Sequence, residues 1–255
     1  MLKVASWNVN SLNVRLPQVL AWCDVAQPDI LALQETKMTD DRFPVGELLD
    51  AGYHSVFSGQ KTYNGVAILS REPAEVTVAD IDGLDDPQRR ILAATVGDVR
   101  IIDLYVVNGS EVGSEKFDYK MYWLERVTAW IAGELQRHEK VIVLGDFNIA
   151  PDDRDVYDPQ AWHEKILCSM QEREALQGIL DLGLSDTFRQ FEQREKSWSW
   201  WDYRMAAFRR NMGLRIDLIL ASAALVKTCS AAYIDKEPRR QERPSDHTPV
   251  VAEFA

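Results

Sequence analysis

The sequence is short of cysteine, and its three thiols, Cys23, Cys168 and Cys229, lie far apart. No C-x-x-C pair exists, which excludes a zinc ribbon or a disulfide framework and fits reduced thiols in the cytoplasm. Long apolar runs are missing too. Nothing approaches the roughly 18 residues of a membrane helix, and the first residues, Met1 to Asn8, have no signal-peptide core. The G-x-S-x-G, G-x-x-x-x-G-K-[ST] and G-x-G-x-x-G patterns are likewise absent, which argues against a serine hydrolase, a P-loop nucleotide switch and a dinucleotide oxidoreductase. No Pro/Gly/Ser-rich linker divides the chain, so a single domain over residues 1–255 is expected.

Basic charge is scarce overall. Lys and Arg total 29 against 40 Asp and Glu, a net charge of −11 over 255 residues. Such a balance repels polyanions at long range and by itself argues against a nucleic-acid partner. The deficit is uneven, however. Residues 1–184 hold 17 basic and 30 acidic side chains, whereas residues 185–250 hold 12 and 9. Arg189, Arg204, Arg209, Arg210 and Arg215 are interleaved there with Phe188, Trp198, Trp200, Trp201, Tyr203 and Phe208. That mixture suits either a solvated face over core aromatics or a surface that grips phosphates and stacks bases.

What is plentiful is short apolar runs that end in polar residues. Lys3–Val9, Ile30–Leu33, Val66–Leu69, Val99–Val107, Val141–Leu144 and Leu214–Leu220 read as buried strands. Helical spacing appears at Leu16, Val19, Leu20 and Cys23, and at Phe117, Met121, Leu124, Val127, Ile131 and Leu135. Ala175–Leu182 reads as a further helix stopped by Gly183. Two strand ends echo one another, Asn8-Val9-Asn10 and Asp146-Phe147-Asn148. Each delivers polar side chains at period two, so two facing strands of this kind would ring one cleft.

Six polar clusters stand at such ends: Asn8 with Asn10, Gln34-Glu35-Thr36, Tyr105 with Asn108, Asp146 with Asn148, Asp217, and Ser245-Asp246-His247. Any one of them has a plain structural reading as a turn or a solvated strand end. Asp217 is the exception, because its apolar neighbours imply a strand covered on both faces, where a carboxylate needs a partner. Together they suit metal-assisted phosphodiester hydrolysis. Glu35, and Asp246 as a second, offer hard oxygen to Mg²⁺. Asn8 and Asn148 add polar contacts without charge. Asp146 can orient or deprotonate water, and His247 can face a phosphoryl oxygen.

The ordered set of motifs is specific. It comprises Trp7-Asn8-Val9-Asn10-Ser11-Leu12, Leu33-Gln34-Glu35-Thr36-Lys37, Gly59-Gln60-Lys61, Asn64-Gly65-Val66-Ala67, Gln88-Arg89-Arg90-Ile91, Gly145-Asp146-Phe147-Asn148-Ile149-Ala150-Pro151, Ser199-Trp200-Trp201-Asp202-Tyr203-Arg204, Gly213-Leu214-Arg215-Ile216-Asp217 and Pro244-Ser245-Asp246-His247-Thr248-Pro249-Val250. In order and spacing the chain resembles the bacterial exonuclease III and AP endonuclease family, of the endonuclease/exonuclease/phosphatase superfamily, nearly end to end. The resemblance implies a four-layer α/β sandwich, with two mixed sheets face to face and helices outside. It implies Mg²⁺, with Mn²⁺ able to substitute, and a monomer acting in base excision repair on duplex DNA with abasic, nicked or blocked 3′ ends.

By the same resemblance, Glu35 looks like the main metal ligand, with Asn8 adjoining it and Asp246 a second ligand. Tyr105 and Asn148 look like phosphate or transition-state contacts, Asp146 like the group that aligns water, Asp217 like an orienting or leaving-group acid, and His247 like the phosphate-polarising imidazole. Asn10 and Asn108 lie with the substrate-binding group. Arg90 looks like a DNA-backbone contact, and Trp200, Trp201 and Leu214 like an apolar pocket for a flipped-out abasic sugar. Three stretches depart from the pattern: Tyr105–Gly109, which lacks a proline, then Ser110–Lys116, then Tyr157–Glu172, expected beside the pocket. Two alternatives remain at this point. One is a catalytically silent nucleic-acid-binding regulator, and the other a phosphoesterase for a non-DNA substrate.

Overall fold

The computed structural model describes residues 1–84 and 86–255. Its centre is two six-stranded mixed sheets. The first holds β1 (Leu2–Asn8), β2 (Ile30–Gln34), β3 (His54–Ser58), β4 (Val66–Ser70), β11 (Cys229–Ile234) and β12 (Val250–Phe254), in the order β11-β12-β1-β2-β4-β3. The second holds β5 (Glu75–Val78), β6 (Ile91–Val96), β7 (Val99–Tyr105), β8 (Val141–Asp146), β9 (Leu184–Asp186) and β10 (Asp217–Ser222), in the order β5-β6-β7-β8-β10-β9. Each sheet has one parallel pair at its middle, β1/β2 and β7/β8, flanked by antiparallel neighbours on both sides. Each parallel pair is joined by a helix, α1 (Leu12–Ala26) in one sheet and α3 (Glu115–Arg137) in the other. The echo between the Asn8 and Asp146 strand ends is therefore an echo of the whole half-molecule.

The apolar runs are continuous because the central strands are covered on both faces. Val4, Ile30, Ala32, Val66 and Ile68 of the first sheet meet Leu92, Ala94, Ile101, Ile142, Leu144 and Ile219 of the second in the middle of the sandwich. The alternate residues Ala5, Trp7, Leu31, Leu33, Ala67 and Leu69 turn outward against α1 and α2 (Val45–Asp50). On the other side Ile102, Leu104, Val141, Val143, Leu218 and Leu220 pack on α3 and on α5 (Met170–Leu180), which follows the single-turn α4 (Pro159–Trp162). Period-two alternation thus feeds both cores, and the result is the expected four layers.

Several boundaries differ from the sequence reading. The strand expected over Leu214–Leu220 begins at Asp217, because Leu214 leaves the sheet to make isolated bridges with Val156 and Trp200. The third helix begins at Met170 rather than Ala175, started by a capping box in which Ser169 and Glu172 exchange side-chain and backbone bonds. The strands the pattern missed, β3, β5, β6, β9, β11 and β12, are short, half-exposed or alanine-rich, so their apolar signal is diluted. No helix among the described residues is long and apolar enough to cross a membrane.

Candidate active site

Parallel strands bring their carboxyl ends to one side of a sheet, and here the two parallel pairs do so from opposing sheets. Asn8 ends β1, Tyr105 ends β7, Asp146 ends β8, and Asp217 starts β10 directly opposite Asp146. Gly145 makes the approach possible. Its φ is +138°, and a Cβ there would stand 1.9 Å from the carbonyl oxygen of Leu104. Glu35 and Asn148 follow their strands with φ of +54° and +49°, in the left-handed region where non-glycine residues are sparse. Such conformations cluster where structure must aim a side chain.

Two hydrogen-bonded sets result, one centred on Asp146 and one joining His247 to Asp217. The Asn8 amide nitrogen donates to Glu35 Oε1 (2.8 Å) and, across the two sheets, to Asp146 Oδ2 (2.9 Å). Asp146 also accepts from the Asn148 backbone N–H (2.9 Å) and side-chain amide (3.3 Å). His247 Nδ1 donates to Asp217 at 2.9 Å, while its Nε2 lies 3.7 Å from Asp146 Oδ2. The Asn108 amide donates to Asn148 Oδ1 at 3.0 Å. Glu35, Asp146 and His247 bring ligand atoms within 4.8 Å of one another.

Burial sets the electrostatics. Asp146 is pushed up to about 7, chiefly by desolvation, with the His247 charge pulling it down and Asp217 pushing it further up. Burial draws His247 down, but Asp217 and then Asp146 outweigh it and hold the ring near 10. The imidazole is therefore a cation at neutral pH, anchored at Nδ1, with Nε2–H turned toward Asp146. Desolvation, with the Glu35 charge, lifts the Tyr105 phenol well above its ordinary value. Asp246 is held below the usual carboxylate range despite burial, by the His247 charge and by Asn10 and Trp200.

The donor set fits a hard divalent cation. Glu35 and Asp146 offer carboxylate oxygen, and the cluster among the described residues includes no thiol. His247 is committed as a donor rather than a ligand. Asn8 turns its nitrogen to the acids and its Oδ1 to the Asn10 N–H (3.0 Å). Asp246 faces away, accepting from the Asn10 amide (2.9 Å) and the Trp200 indole (3.0 Å). It is linked to the acid pair through Asn10 and Asn8 and lies outside the Glu35–Asp146–His247 cluster.

Other placements differ from expectation. Arg90 is nearly buried behind Tyr105, with its guanidinium 4.5 Å from the ring centroid and bonded to Gln88 (2.8 Å) and to the Tyr105 carbonyl (3.2 Å). It supports Tyr105 and offers little open surface. Trp201 and Leu214 are fully enclosed, so neither presents a face to a ligand. Partly exposed Trp200 does, beside Trp162 and Ile166 of the divergent Tyr157–Glu172 stretch. Arg215 is not a surface cation either. It is locked to Asp155 (2.6 Å) and Asp186 (2.8 Å), leaving Arg204, Arg209 and Arg210 exposed.

Sequence reasoning missed Lys37, whose ammonium stands 2.8 Å from Glu35 Oε2 and 2.5 Å from Asn10 Oδ1. Its position two residues past the acid at a strand end was the available signal. Also missed was Lys120, a charged residue in step with the apolar stripe of α3.

The sequence matches the endonuclease/exonuclease/phosphatase family over residues 5–247. The chain belongs to that family. Within it, exodeoxyribonuclease III of Haemophilus influenzae is 34% identical, over 99% of this chain and the whole of that protein. Among solved structures, a Neisseria 3′ phosphatase, NExo, in its D146N form bound to a product DNA hairpin, superposes with a TM-score of 0.98. It is 51% identical, with all of both chains covered. An AP endonuclease from Archaeoglobus fulgidus follows the same fold with a TM-score of 0.95 and 38% identity, over all of this chain and 99% of that one.

Proposed function

We propose that the protein is a Mg²⁺-dependent DNA-repair phosphoesterase of the exonuclease III type, with Mn²⁺ able to substitute. It cleans blocked 3′ ends and removes nucleotides 3′ to 5′ on duplex DNA. The chain works as one catalytic domain over 1–255, as a monomer in the cytoplasm. The observation that carries this reading is the bond from Asn8 to Asp146 across the two sheets, with an imidazolium held between Asp146 and Asp217. The 3′-terminal emphasis is supported by the name and identity of the Neisseria structure.

Glu35 would hold the cation, which supplies charge neutralisation and polarisation of the phosphoryl oxygen. The protein's own groups do the rest. Asp146, poised near 7, takes a proton from the attacking water. The His247 Nε2–H, the Tyr105 hydroxyl and the Asn148 amide, which gives up its long bond to Asp146 (3.3 Å), donate to phosphoryl oxygens that gain charge in the transition state. Asp217 fixes the imidazole and keeps it charged. Asn10 and Asn108 bind on the rim of the site.

The second reading is abasic-site endonuclease. Trp200, half-open beside Trp162 and Ile166, offers an apolar wall for an extruded sugar, and the Archaeoglobus relative bears that name. Two labelled duplexes in Mg²⁺ decide the matter, one with a recessed 3′-phosphate end and one with an internal abasic analogue. Release of phosphate and shortening from the 3′ end without a nick supports the first reading. A nick 5′ to the lesion supports the second. Tight binding with no turnover in either metal refutes both.

A further inference from the structure

Lys120 is a cation set into the buried stripe of α3, between Phe117 and Trp123, and its side chain has no exposure. An ammonium carries three N–H donors. Here they go to the main-chain carbonyls of Asn148 (2.8 Å) and Asn108 (3.2 Å) and to the carboxylate of Glu172. Glu172 is equally enclosed. It accepts from the backbone N–H of Leu167 (3.0 Å) and Ser169 (3.1 Å) and from the Ser169 hydroxyl (2.7 Å). Three segments meet at this pair: the turns after the paired strands β7 and β8, and the stretch leading into α5.

Exchange of such a buried pair for apolar residues is often neutral for stability, so stability alone does not account for it. What the pair does fix is direction. Asn148 has φ +49°, and its carbonyl is pinned by Lys120 while its side chain reaches Asn108 (3.0 Å), the Val106 carbonyl (3.0 Å) and Asp146 (3.3 Å). From Glu172 to Asp146 the path is an unbroken series of hydrogen bonds through Lys120 and Asn148.

We propose that Lys120 and Glu172 form a clamp, as positioning residues, that sets the aim of the Asn108 and Asn148 side chains at the reacting phosphate and ties that aim to the 150–169 segment beside Trp200. The inference rests on the function proposed above. Neither residue touches substrate.

The test is the Lys120→Met/Glu172→Gln double variant, which removes both charges together. It should melt cooperatively, bind Mn²⁺ by calorimetry within twofold of wild type, and keep KM for a 3′-phosphate duplex within about threefold. Its kcat should fall at least tenfold, and the Asn148 side-chain amide resonance in metal-free protein should move. Wild-type kcat with an unmoved Asn148 resonance would overturn the clamp and leave the pair a core filler. If the double variant does not fold, Glu172→Gln alone carries the test. Its amide leaves the Lys120 charge uncompensated and sets an N–H against donors, so a fall in kcat at least as large with the same resonance shift is expected, and wild-type values of both would overturn the proposal. Failure of the wild type to act on DNA would sink the proposed function instead, and the clamp would then be judged on the resonance.

Discussion

His247 is gripped from two sides by carboxylates of different standing. Asp217, at 2.9 Å, anchors Nδ1, and Asp146, at 3.7 Å, faces Nε2. Asp217→Asn should therefore lower the His247 pKa from about 10 toward its ordinary 6.5, as read by ring-proton NMR titration of the metal-free protein. An unmoved titration would refute the assignment. The stability consequence has a definite sign. The folded pKa is raised, so the imidazolium's contribution is whole below about 6.5 and is lost as pH rises through about 10. His247→Gln should thus show its largest Tm deficit below pH 6.5 and a shrinking one up to pH 10. Asp146→Asn should lower kcat by a factor on the order of 10³, since proton acceptance and charge complementarity fail together. Near-normal turnover would remove Asp146 from the water-activating role. At the residue scale much was readable: the acids, amides and histidine stood at ends of apolar runs. The partner of His247 was not, because it is Asp217, distant in sequence, and not its neighbour Asp246.

At the scale of elements, site geometry depends on how closely β7 and β8 approach. Gly145→Ala must relieve a 1.9 Å clash with the Leu104 carbonyl at a φ that L side chains rarely adopt. A loss of about 3 kcal/mol or more in urea unfolding is expected, and a loss below about 1 kcal/mol would mean the strands can part. The divergent Tyr157–Glu172 stretch supplies Trp162 and Ile166, which pack against the same apolar cluster as Trp200. Trp200→Ala should reduce abasic-site cleavage, where present, more than hydrolysis of a small phosphoester. Equal losses would count against an apolar wall for the sugar. The helix and strand periods were legible in the sequence. The edge strands were not, since a half-exposed strand of four to six residues carries too few apolar positions to register.

Across the whole molecule, an acidic chain must meet a polyanion. The exposed arginines of the C-terminal aromatic cluster narrow to Arg204, Arg209 and Arg210, since Arg215 is spent on Asp155 and Asp186 inside the fold. Binding to duplex DNA should weaken steeply with salt. Changing these three arginines to serine should flatten the log–log slope by roughly 0.9 for each phosphate that is no longer neutralised. A slope unchanged in the triple variant would place the phosphate grip elsewhere.

The sequence determined the apolar runs, their periods, the polar residues that end them, and hence the layered class of the fold. These are local properties, written in the order of side chains along the backbone. The tertiary structure alone decided which polar ends meet: Asn8 with Asp146 across two sheets, His247 with Asp217, and Lys120 with the carbonyls of Asn108 and Asn148. It also decided which charges and aromatics serve the core, as Arg90, Arg215 and Trp201 do. Composition gives a side chain its chemistry, but only long-range packing settles whether water, a partner or a substrate will face it.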